Sequence, residues 1–456
     1  MSSNASHPVR LLPVAVTVFV AVFVVQAPLV FNPGYFAADE LQWWARADVT
    51  RAADLPWLAW GDVSAFQYRP LTFNLWLLLA WAFAATPWIM HAAFVALGAT
   101  NTALLGAVML RFGASQRATL AACLAFASNP YVVYTHGWTA TLADLLVVLA
   151  GLGSVLLSRS IGPDASPRQS NTALLVILVL VALALMAKES AVVLPVLLAA
   201  AAWRTRNPRF SALVVVTSAV LVLAYLGLRW PVLAQAGSAD PAYAWSADRM
   251  PRRVLEYLLF PAMPPLLEAA PVLAKSAARI AAAGVVLCAF LAALASANRW
   301  LPVAWLVLQL GLLAPVLVLG IAYNHYAYMA STAAIAIPAL AWSSLPRPAR
   351  IVVCVAAAIT ALHGMQVMFA MHRVGVAEQA FHSALAAAVH DAQGQPLRIT
   401  ATDPSAAWML QRFVNAVPAW RGTSLHAVSI AATPAQATHR MDADGRLRAV
   451  TPDDAL

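Results

Sequence analysis

Charged side chains are scarce in this sequence of 456 residues: Asp, Glu, Lys and Arg make up 10% of the chain, and hydrophobic residues make up 62%. A soluble globular protein carries about 25% charged residues. The mean hydropathy is +0.74. No soluble fold of this length could bury so much apolar surface in its core, so the composition excludes an ordinary soluble protein. It predicts a polytopic integral membrane protein.

Cysteine and cofactor motifs are also scarce. The chain has three cysteines, Cys123, Cys288 and Cys354. All three lie in apolar runs without metal or redox spacing, which is typical of small buried hydrophobic residues. The histidines of the C-terminal part also lack the i, i+4 spacing of a helical zinc pair. Because no glycine-rich nucleotide loop is visible either, the sequence predicts no cofactor, and it does not indicate a divalent cation.

Acidic residues are fewer than basic ones, and the net charge is +9. Such a charge suits a nucleic-acid partner, or it reflects the preference of Lys and Arg for the cytoplasmic side of a membrane. The basic residues occupy short loops between apolar runs, which favours the membrane interpretation and no nucleic acid.

The apolar runs predict the spans. About 20 apolar residues, or about 30 Å of helix, cross the hydrocarbon core. The candidate spans are 11–30, 88–110, 118–134, 142–158, 172–187, 191–203, 211–228, 280–296, 301–321, 326–343 and 351–371. Residues 1–30 are expected to be an uncleaved first span rather than a signal peptide.

Segment 70–86 is apolar as well, and its placement decides the topology. If it lies on the outer surface, the arginines of the short loops share the cytoplasmic side with one carboxylate, Asp164. These arginines are Arg10, Arg111, Arg117, Arg159, Arg168, Arg204, Arg206, Arg209, Arg299, Arg347 and Arg350. We therefore predict about eleven transmembrane helices in a plasma (bacterial inner) membrane, with the N-terminus cytoplasmic and the C-terminus periplasmic. Residues 31–87 then form a first external loop with surface helices.

The composition changes after residue 371, where charged residues return. Leu397–Ala401 and Leu425–Ala431 have strand patterns, Asp403-Pro404 begins a predicted helix to Val414, and Asp444-Gly445 marks a hairpin turn. The fold class predicted is an all-α membrane module, residues 1–371, followed by a small external α/β domain, residues 372–456.

The first loop contains a carboxylate pair, Asp39-Glu40, bracketed by Tyr35 and by Trp43-Trp44. A general base needs a carboxylate in a partly dry, well-defined place, and aromatic neighbours and a second acid raise its pKa. The alternative is a solvated loop with Trp anchors at the membrane interface.

Cations and further carboxylates border the same predicted face. Arg69, in Tyr68-Arg69-Pro70-Leu71, suits a phosphate, or it is a snorkelling residue before a helix-starting proline. Lys188-Glu189 lies between two apolar runs and is either functional or a self-neutralising pair. Asp144 begins a span, where it either faces a cavity or stabilises a helix N-terminus.

Polar residues inside the spans are the remaining candidates. His91 and Asn101 share about one helical face, and their plain role is hydrogen bonding between helices. Tyr323 to Ser331 is a polar aromatic cluster, including His325 and Tyr326, that suits sugar or phosphate, or forms an aromatic belt.

The order of these motifs resembles the GT-C superfamily of membrane glycosyltransferases, and within it the protein O-mannosyltransferase-like branch. The resemblance covers about residues 11–345. Its blocks are Asp39-Glu40, Tyr68 to Leu71, His91 to Asn101, Asn129-Pro130 through Trp138 to Asp144, Lys188-Glu189 with Pro195, and Tyr326 to Ser331. Many relatives have Glu at Tyr134 and Arg at Leu142 and His325, and no tetratricopeptide array follows here.

The resemblance implies a transferase that takes a sugar from a polyprenyl-phosphate donor on the external face, with an Asp of the first loop as base. That role corresponds to Asp39, with Glu40 beside it. Arg69, Lys188 or His325 would stabilise the lipid phosphate. His91, Asn101, Trp138, Asp144, Glu189 and Tyr326 would line the rest of the cavity. The acceptor, a protein, lipid or glycan, is not identified.

Two other functions remain open. A lipid or sugar transporter also places ionisable groups in the membrane, although the sequence lacks the repeated halves and broken helices of many transporters. A non-catalytic membrane assembly factor would carry Asp39-Glu40 without using it.

Overall fold

The computed structural model describes residues 11–35, 38–65, 67–203, 205, 207–235, 237, 243–402, 406–407, 410–411, 414, 419–420 and 423–450. Within these residues the chain is mostly helical. The helices are α1 Leu11–Val25, α2 Ala27–Val30, α3 Ala38–Val49, α4 Pro70–Phe83, α5 Pro87–Arg111, α6 Gln116–Ala127, α7 Pro130–Gly137, α8 Leu142–Ser160, α9 Pro167–Ala187, α10 Leu194–Ala202, α11 Pro208–Leu233, α12 Met250–Leu259, α13 Ala277–Ala297, α14 Leu301–Leu317, α15 Tyr328–Ala341 and α16 Arg347–Asp391.

Among the described residues, six helical segments are long and apolar enough to cross a membrane: Pro87–Arg111, Thr139–Ser160, Pro167–Ala187, Pro208–Leu233, Ala277–Ala297 and Arg347–Asp391. Shorter apolar helices include α1, α4 and α14. The predicted helical membrane protein is therefore confirmed, whereas the number of spans and their orientation stay predictions.

Proline and small polar residues set several helix boundaries. Four helices begin with a side chain that accepts a hydrogen bond from a backbone amide in the first turn: Ser115, Asn129, Ser166 and Asn207. At Asn129-Pro130 this cap interrupts the predicted span 118–134, because proline cannot donate the helical hydrogen bond and suits the start of a new helix. The span becomes α6 and α7, and α7 ends at Gly137 with Trp138 as its C-cap.

Helix α16 is 45 residues long, or about 65 Å at 1.5 Å per residue. Two glycines allow other segments to pack closely against it. A Cβ at Gly364 would overlap the carbonyl of Ser128, at the break between α6 and α7, and one at Gly375 would overlap the amide of Asn32 in the first loop. The helix is continuous across residue 372, where the second domain is predicted to begin, and that boundary stays a prediction.

The C-terminal residues form a small sheet, as predicted. Its strands are β1 Leu397–Ala401, β4 Val428–Ile430, β5 His439–Met441 and β6 Leu447–Ala449, in the order β4-β1-β5-β6. β1 pairs in parallel with β4 and β5, and β5 pairs antiparallel with β6. The β5–β6 turn contains Gly445 at φ +84°, a conformation that favours glycine.

Two further short strands, β2 Ala419–Trp420 and β3 Thr423–Ser424, pair antiparallel. The helix predicted from Asp403 to Val414 lies largely outside the described residues.

Candidate active site

Helix α3 carries the carboxylate pair in its first turn, where the positive end of the helix dipole stabilises negative charge. The two carboxylates are placed differently. Glu40 is 1% exposed, and its Oε1 accepts hydrogen bonds from the backbone N–H of Thr139 (2.7 Å) and from its hydroxyl (2.8 Å). Asp39 is partly exposed. Glu40 thus links the first loop to the turn between α7 and α8 by hydrogen bonds. Asp39 is the more accessible of the two acids.

Helices α3 and α4 pack through aromatic rings. Trp43 stacks on Phe73 with ring centroids 4.4 Å apart, and it contacts Trp76 at 6.1 Å. The indole N–H of Trp76 donates to the carbonyl of Thr139 at 2.7 Å. The same turn therefore holds Glu40 and Trp76, and the position of the carboxylate pair relative to α7 and α8 is fixed from two sides.

A buried ion pair joins the end of α9 to the start of α8. Lys188, which follows α9 in an extended conformation, directs its Nζ to both carboxylate oxygens of Asp144 at 2.7 Å. Lys188 is 3% exposed and Asp144 is 7% exposed. The ammonium also lies 4.6 Å from the ring centroid of Tyr326. Because both charges are removed from water, each depends on its partner.

A second ion pair lies beside the first. Arg69, directly before α4, contacts Oε2 of Glu189 through Nε and a terminal nitrogen, both at 2.8 Å. The hydroxyl of Thr72 donates to the carbonyl of Ala187 at 2.8 Å, which holds the start of α4 against the end of α9. Burial lowers the pKa of Arg69, but Glu189, Tyr243 and Tyr326 together outweigh this effect, and the pKa is raised above its ordinary value.

Aromatic side chains form a wall beside the two ion pairs. The ring of His325 stacks on Tyr323 at 5.5 Å and meets Tyr326 and Trp138 edge-on at 4.5 and 5.3 Å. Trp138 in turn packs edge-on against Tyr134 at 5.7 Å. We call these five residues the aromatic wall. Flat faces with polar edges of this kind suit a sugar ring.

His325 is neutral in this wall. Burial lowers its pKa well below the ordinary value, and the nearby cations Lys188 and Arg69 lower it further. Its Nδ1 is buried and has no hydrogen-bond partner among the described residues. The lowered pKa favours the neutral imidazole, whose nitrogens donate or accept a hydrogen bond, and a place for His325 at the donor phosphate stays a prediction.

The aromatic wall connects the cations to the first-loop acids. Tyr134 lies within electrostatic range of Asp39, Glu40 and a third carboxylate, Glu268. Lys188 contacts Tyr326 at the other side of the wall. Acids, aromatic rings and cations that are far apart in sequence therefore meet at one end of the helical bundle. We call this end, which contains the first-loop acids, the aromatic wall and the two ion pairs, the paired end.

Sequence reasoning did not identify two residues at this end. Glu268 lies in the long segment between α12 and α13. Tyr243 accepts a hydrogen bond from Gln67 Nε2 at 2.7 Å, and it interacts electrostatically with Arg69 and Tyr326. Neither belongs to a motif. The available signal was that Glu268 is an isolated carboxylate in a segment rich in Pro, Leu and Ala.

His91 and Asn101 link structural elements. His91 Nε2 is 2.9 Å from the carbonyl oxygen of Gly34 in the first loop. Asn101 donates to the carbonyl of Leu145 at 3.0 Å and to the hydroxyl of Tyr328 at 3.2 Å. These contacts agree with the plain role of hydrogen bonding between segments, and a role for either residue in a cavity stays a prediction.

The charges of the two ion pairs cancel. Lys188 and Arg69 supply two positive charges, and Asp144 and Glu189 supply two negative ones. An anionic ligand would therefore have to draw a cation partly away from its carboxylate. Arg69 suits this better than Lys188, because the Arg69–Glu189 pair is more exposed and a guanidinium has donors left over.

No protein-family model matches the sequence. No curated protein matches it either. Two solved structures are similar. One is an oligosaccharyltransferase from Archaeoglobus fulgidus tethered with an acceptor peptide, at 12% identity and a TM-score of 0.45, covering 93% of this chain. This chain spans 64% of that protein's length.

The other is ArnT from Cupriavidus metallidurans bound to undecaprenyl phosphate. It has 13% identity and a TM-score of 0.45, and the likeness covers 91% of this chain and 85% of ArnT. Both likenesses are too weak to assign a reaction, so the function has to be inferred from the side chains of the paired end.

Proposed function

We propose that this protein is an integral membrane glycosyltransferase that moves a sugar from a polyprenyl-phosphate donor to an acceptor hydroxyl. The reaction takes place at the paired end of the bundle, on the external face of the membrane. Its partners are the donor lipid, the surrounding membrane lipids and an acceptor molecule that carries a free hydroxyl.

One observation carries the proposal. The aromatic wall joins Asp39, through Tyr134, to Lys188 and Arg69, through Tyr326. A sugar phosphate needs these three environments in this order: an acid near the attacking hydroxyl, flat rings beside the sugar and cations near the phosphate. In a transporter or an assembly factor, nothing requires an accessible carboxylate opposite the cations.

The bond changes follow from this order. Asp39 accepts the proton of the acceptor hydroxyl while that oxygen attacks the anomeric carbon. The bond between the anomeric carbon and the phosphate oxygen breaks, and its electron pair stays on the lipid phosphate. Attack from the side opposite the leaving phosphate inverts the configuration of the anomeric carbon. The proton leaves the site from Asp39, which is partly exposed.

Arg69 stabilises the phosphate as negative charge develops on it, because preorganised donors are worth more in a dry site than in water. Glu40 holds α3 in place through Thr139 and thereby positions Asp39. Lys188 acts mainly by keeping the α8–α9 junction together, since Asp144 takes its charge-assisted hydrogen bonds.

The direct test is turnover of candidate polyprenyl-phosphate sugars by the purified protein with a panel of acceptor hydroxyls. We expect release of polyprenyl phosphate together with a glycosylated acceptor, and loss of both products in Asp39→Asn. If the wild-type protein moves intact donor between vesicle leaflets without cleaving it, a transporter function would replace this proposal.

A further inference from the structure

A cavity lies in the bundle away from the paired end, and its lining includes none of the candidate site residues. It has a volume of about 370 Å³, is half open, and is lined by residues of α6, α12, α13, α14, α15 and α16. The side chains that line it in the described part of the chain are aliphatic or aromatic except Arg117, Asn129, Thr360 and Cys354. This volume is within the range of about 300–1,000 Å³ that is usual for small-ligand sites.

Most of the walls offer no partner to a polar ligand. Ala121 and Ala125 of α6, Phe290 of α13 and Pro338 of α15 offer no hydrogen bonds to a ligand, and burying polar groups against such walls costs free energy. An empty apolar cavity is also unfavourable, because its walls lose dispersion contacts. In a bilayer the material at hand to fill such a cavity is hydrocarbon.

Cations mark one end of the cavity. Arg117 lines it at the start of α6 and is exposed. Trp342, at the end of α15, lines it too, and the guanidinium of Arg350 lies 5.7 Å from the Trp342 ring centroid. The described residues that line the cavity include no carboxylate. An anionic headgroup at this end would thus meet positive charge beside an apolar interior.

We propose that this cavity binds an anionic phospholipid, with an acyl chain inside the cavity and the phosphate on Arg117. The donor lipid of the proposed reaction is a poorer occupant, because Arg69 and Lys188 do not line this cavity. A phosphate bound at Arg117 would therefore lie apart from the proposed donor-phosphate site. The inference does not depend on that reaction.

The labelling rates of two native cysteines can test this proposal. Cys354 is exposed and lines the cavity, whereas Cys288 is exposed on α13 and does not belong to the lining. In delipidated protein in detergent, phosphatidylglycerol should slow the labelling of Cys354 by a bulky apolar maleimide and leave Cys288 unchanged. Diacylglycerol with the same acyl chains lacks the phosphate and should protect Cys354 less well.

Two variants separate the headgroup from the acyl chain. In Arg117→Gln, about fivefold more phosphatidylglycerol should be needed for half-protection, whereas the matched control Arg111→Gln, on the other side of the short α5–α6 loop, should behave as wild type. Ala121→Trp, at an exposed position of the wall, fills the cavity, so phosphatidylglycerol should no longer change the labelling rate of Cys354.

Three results would overturn the proposal. Equal protection of Cys354 and Cys288 would indicate only the general lipid surroundings. Equal shifts in Arg117→Gln and Arg111→Gln would remove the phosphate from Arg117. Protection of Cys354 by polyprenyl phosphate at lower concentrations than phosphatidylglycerol would make the cavity a site for the isoprenoid chain.

Discussion

The two ends of the helical bundle handle charge in different ways. At the paired end, cations are matched with carboxylates inside the protein, as in Lys188–Asp144 and Arg69–Glu189. At the other end, which we call the basic end, arginines lie over aromatic rings: Arg159 is 4.4 Å from the Phe112 ring and Arg299 is 5.5 Å from the Trp300 ring. Matched buried charges cost desolvation and suit a site, whereas cations beside aromatic rings are typical of a membrane surface.

The largest expected effect concerns the sides of the membrane that the two ends face, because each position is either labelled from outside or not labelled. If the two ends face opposite sides of the membrane, an impermeant thiol reagent added outside cells should label Thr433→Cys and not Ala114→Cys, in a background without the three native cysteines. Ala114 lies between α5 and α6 at the basic end, and Thr433 is exposed in the C-terminal domain. Permeabilised cells give the control, since both positions should then react. Labelling of position 114 from outside would mean that α4 spans the membrane.

The next largest effect concerns the first-loop acids. Asp39→Asn should lower the transfer rate by about 10²–10⁴-fold with donor binding intact, because Asn is close in shape but cannot take the proton. Asp48→Asn is the matched control, an exposed Asp on the same helix, and it should leave the rate unchanged.

Glu40→Gln distinguishes the two neighbours. An amide oxygen can still accept from Thr139, so this variant should retain more activity than Asp39→Asn. A wild-type rate for Asp39→Asn together with an inactive Glu40→Gln would exchange their roles.

Lys188→Ala should have its main effect on folding. Removing one partner of a buried ion pair leaves an uncompensated charge and costs about 3–5 kcal/mol. We expect Lys188→Ala to lower the midpoint of thermal unfolding strongly, and Lys188→Met with Asp144→Leu to restore much of the loss. A stable Lys188→Ala protein with weakened donor binding would instead place Lys188 at the phosphate.

Local sequence predicted the elements better than their partners. The apolar runs predicted α5, α9 and α11 well. The break at Asn129-Pro130, however, lies inside the predicted span 118–134, although cap and proline effects act within one turn. Lys188 and Glu189 illustrate the limit. Their adjacency left a functional role and mutual neutralisation open, but an extended residue and a 3₁₀ turn (Glu189–Val193) direct them to Asp144 and Arg69, 44 and 120 residues away. Only the packing of α4, α8 and α9 determines that choice.

Site residues in long loops could not be predicted either, because tertiary packing determines which of their side chains reach the site. Tyr243 and Glu268 come from the segment between α11 and α13, where no periodic pattern predicts which side chain returns to the bundle. The carboxylates and cations that lie next to a span could be predicted as candidates, since charge at membrane depth is costly.

A smaller effect is expected from the pairing of Arg69 with Glu189, which should weaken the binding of a lipid phosphate by Arg69. In Glu189→Gln the carboxylate charge is lost, so Arg69 should bind a lipid phosphate more tightly, by about tenfold or more for a charge-assisted contact. The measurement is the inhibition constant of polyprenyl phosphate. Glu189→Asp keeps the charge and serves as the control. An unchanged inhibition constant in Glu189→Gln would remove Arg69 from the phosphate site.

The smallest expected effect is a pH dependence of stability at His325. Because its pKa is lowered in the folded protein, the unfolded chain takes up a proton first as the pH falls below the ordinary value of about 6.5. The contribution to stability is therefore fully present above that pH and decreases below it, by at most about 1.4 kcal/mol per pH unit. The groups that face the imidazole are Tyr323, Tyr326, Trp138, Lys188 and Arg69.

The measurement is the thermal midpoint of wild type and of His325→Gln between pH 7.5 and 5.5. The other histidines are common to both proteins, so the difference between the two curves isolates His325. We expect the curves to run parallel above pH 6.5 and the wild-type curve to fall more steeply below it. Parallel curves over the whole range would mean that water or an anion reaches the imidazole. The paired end would then be a wet surface like the basic end, and the contrast on which the proposed chemistry depends would be lost.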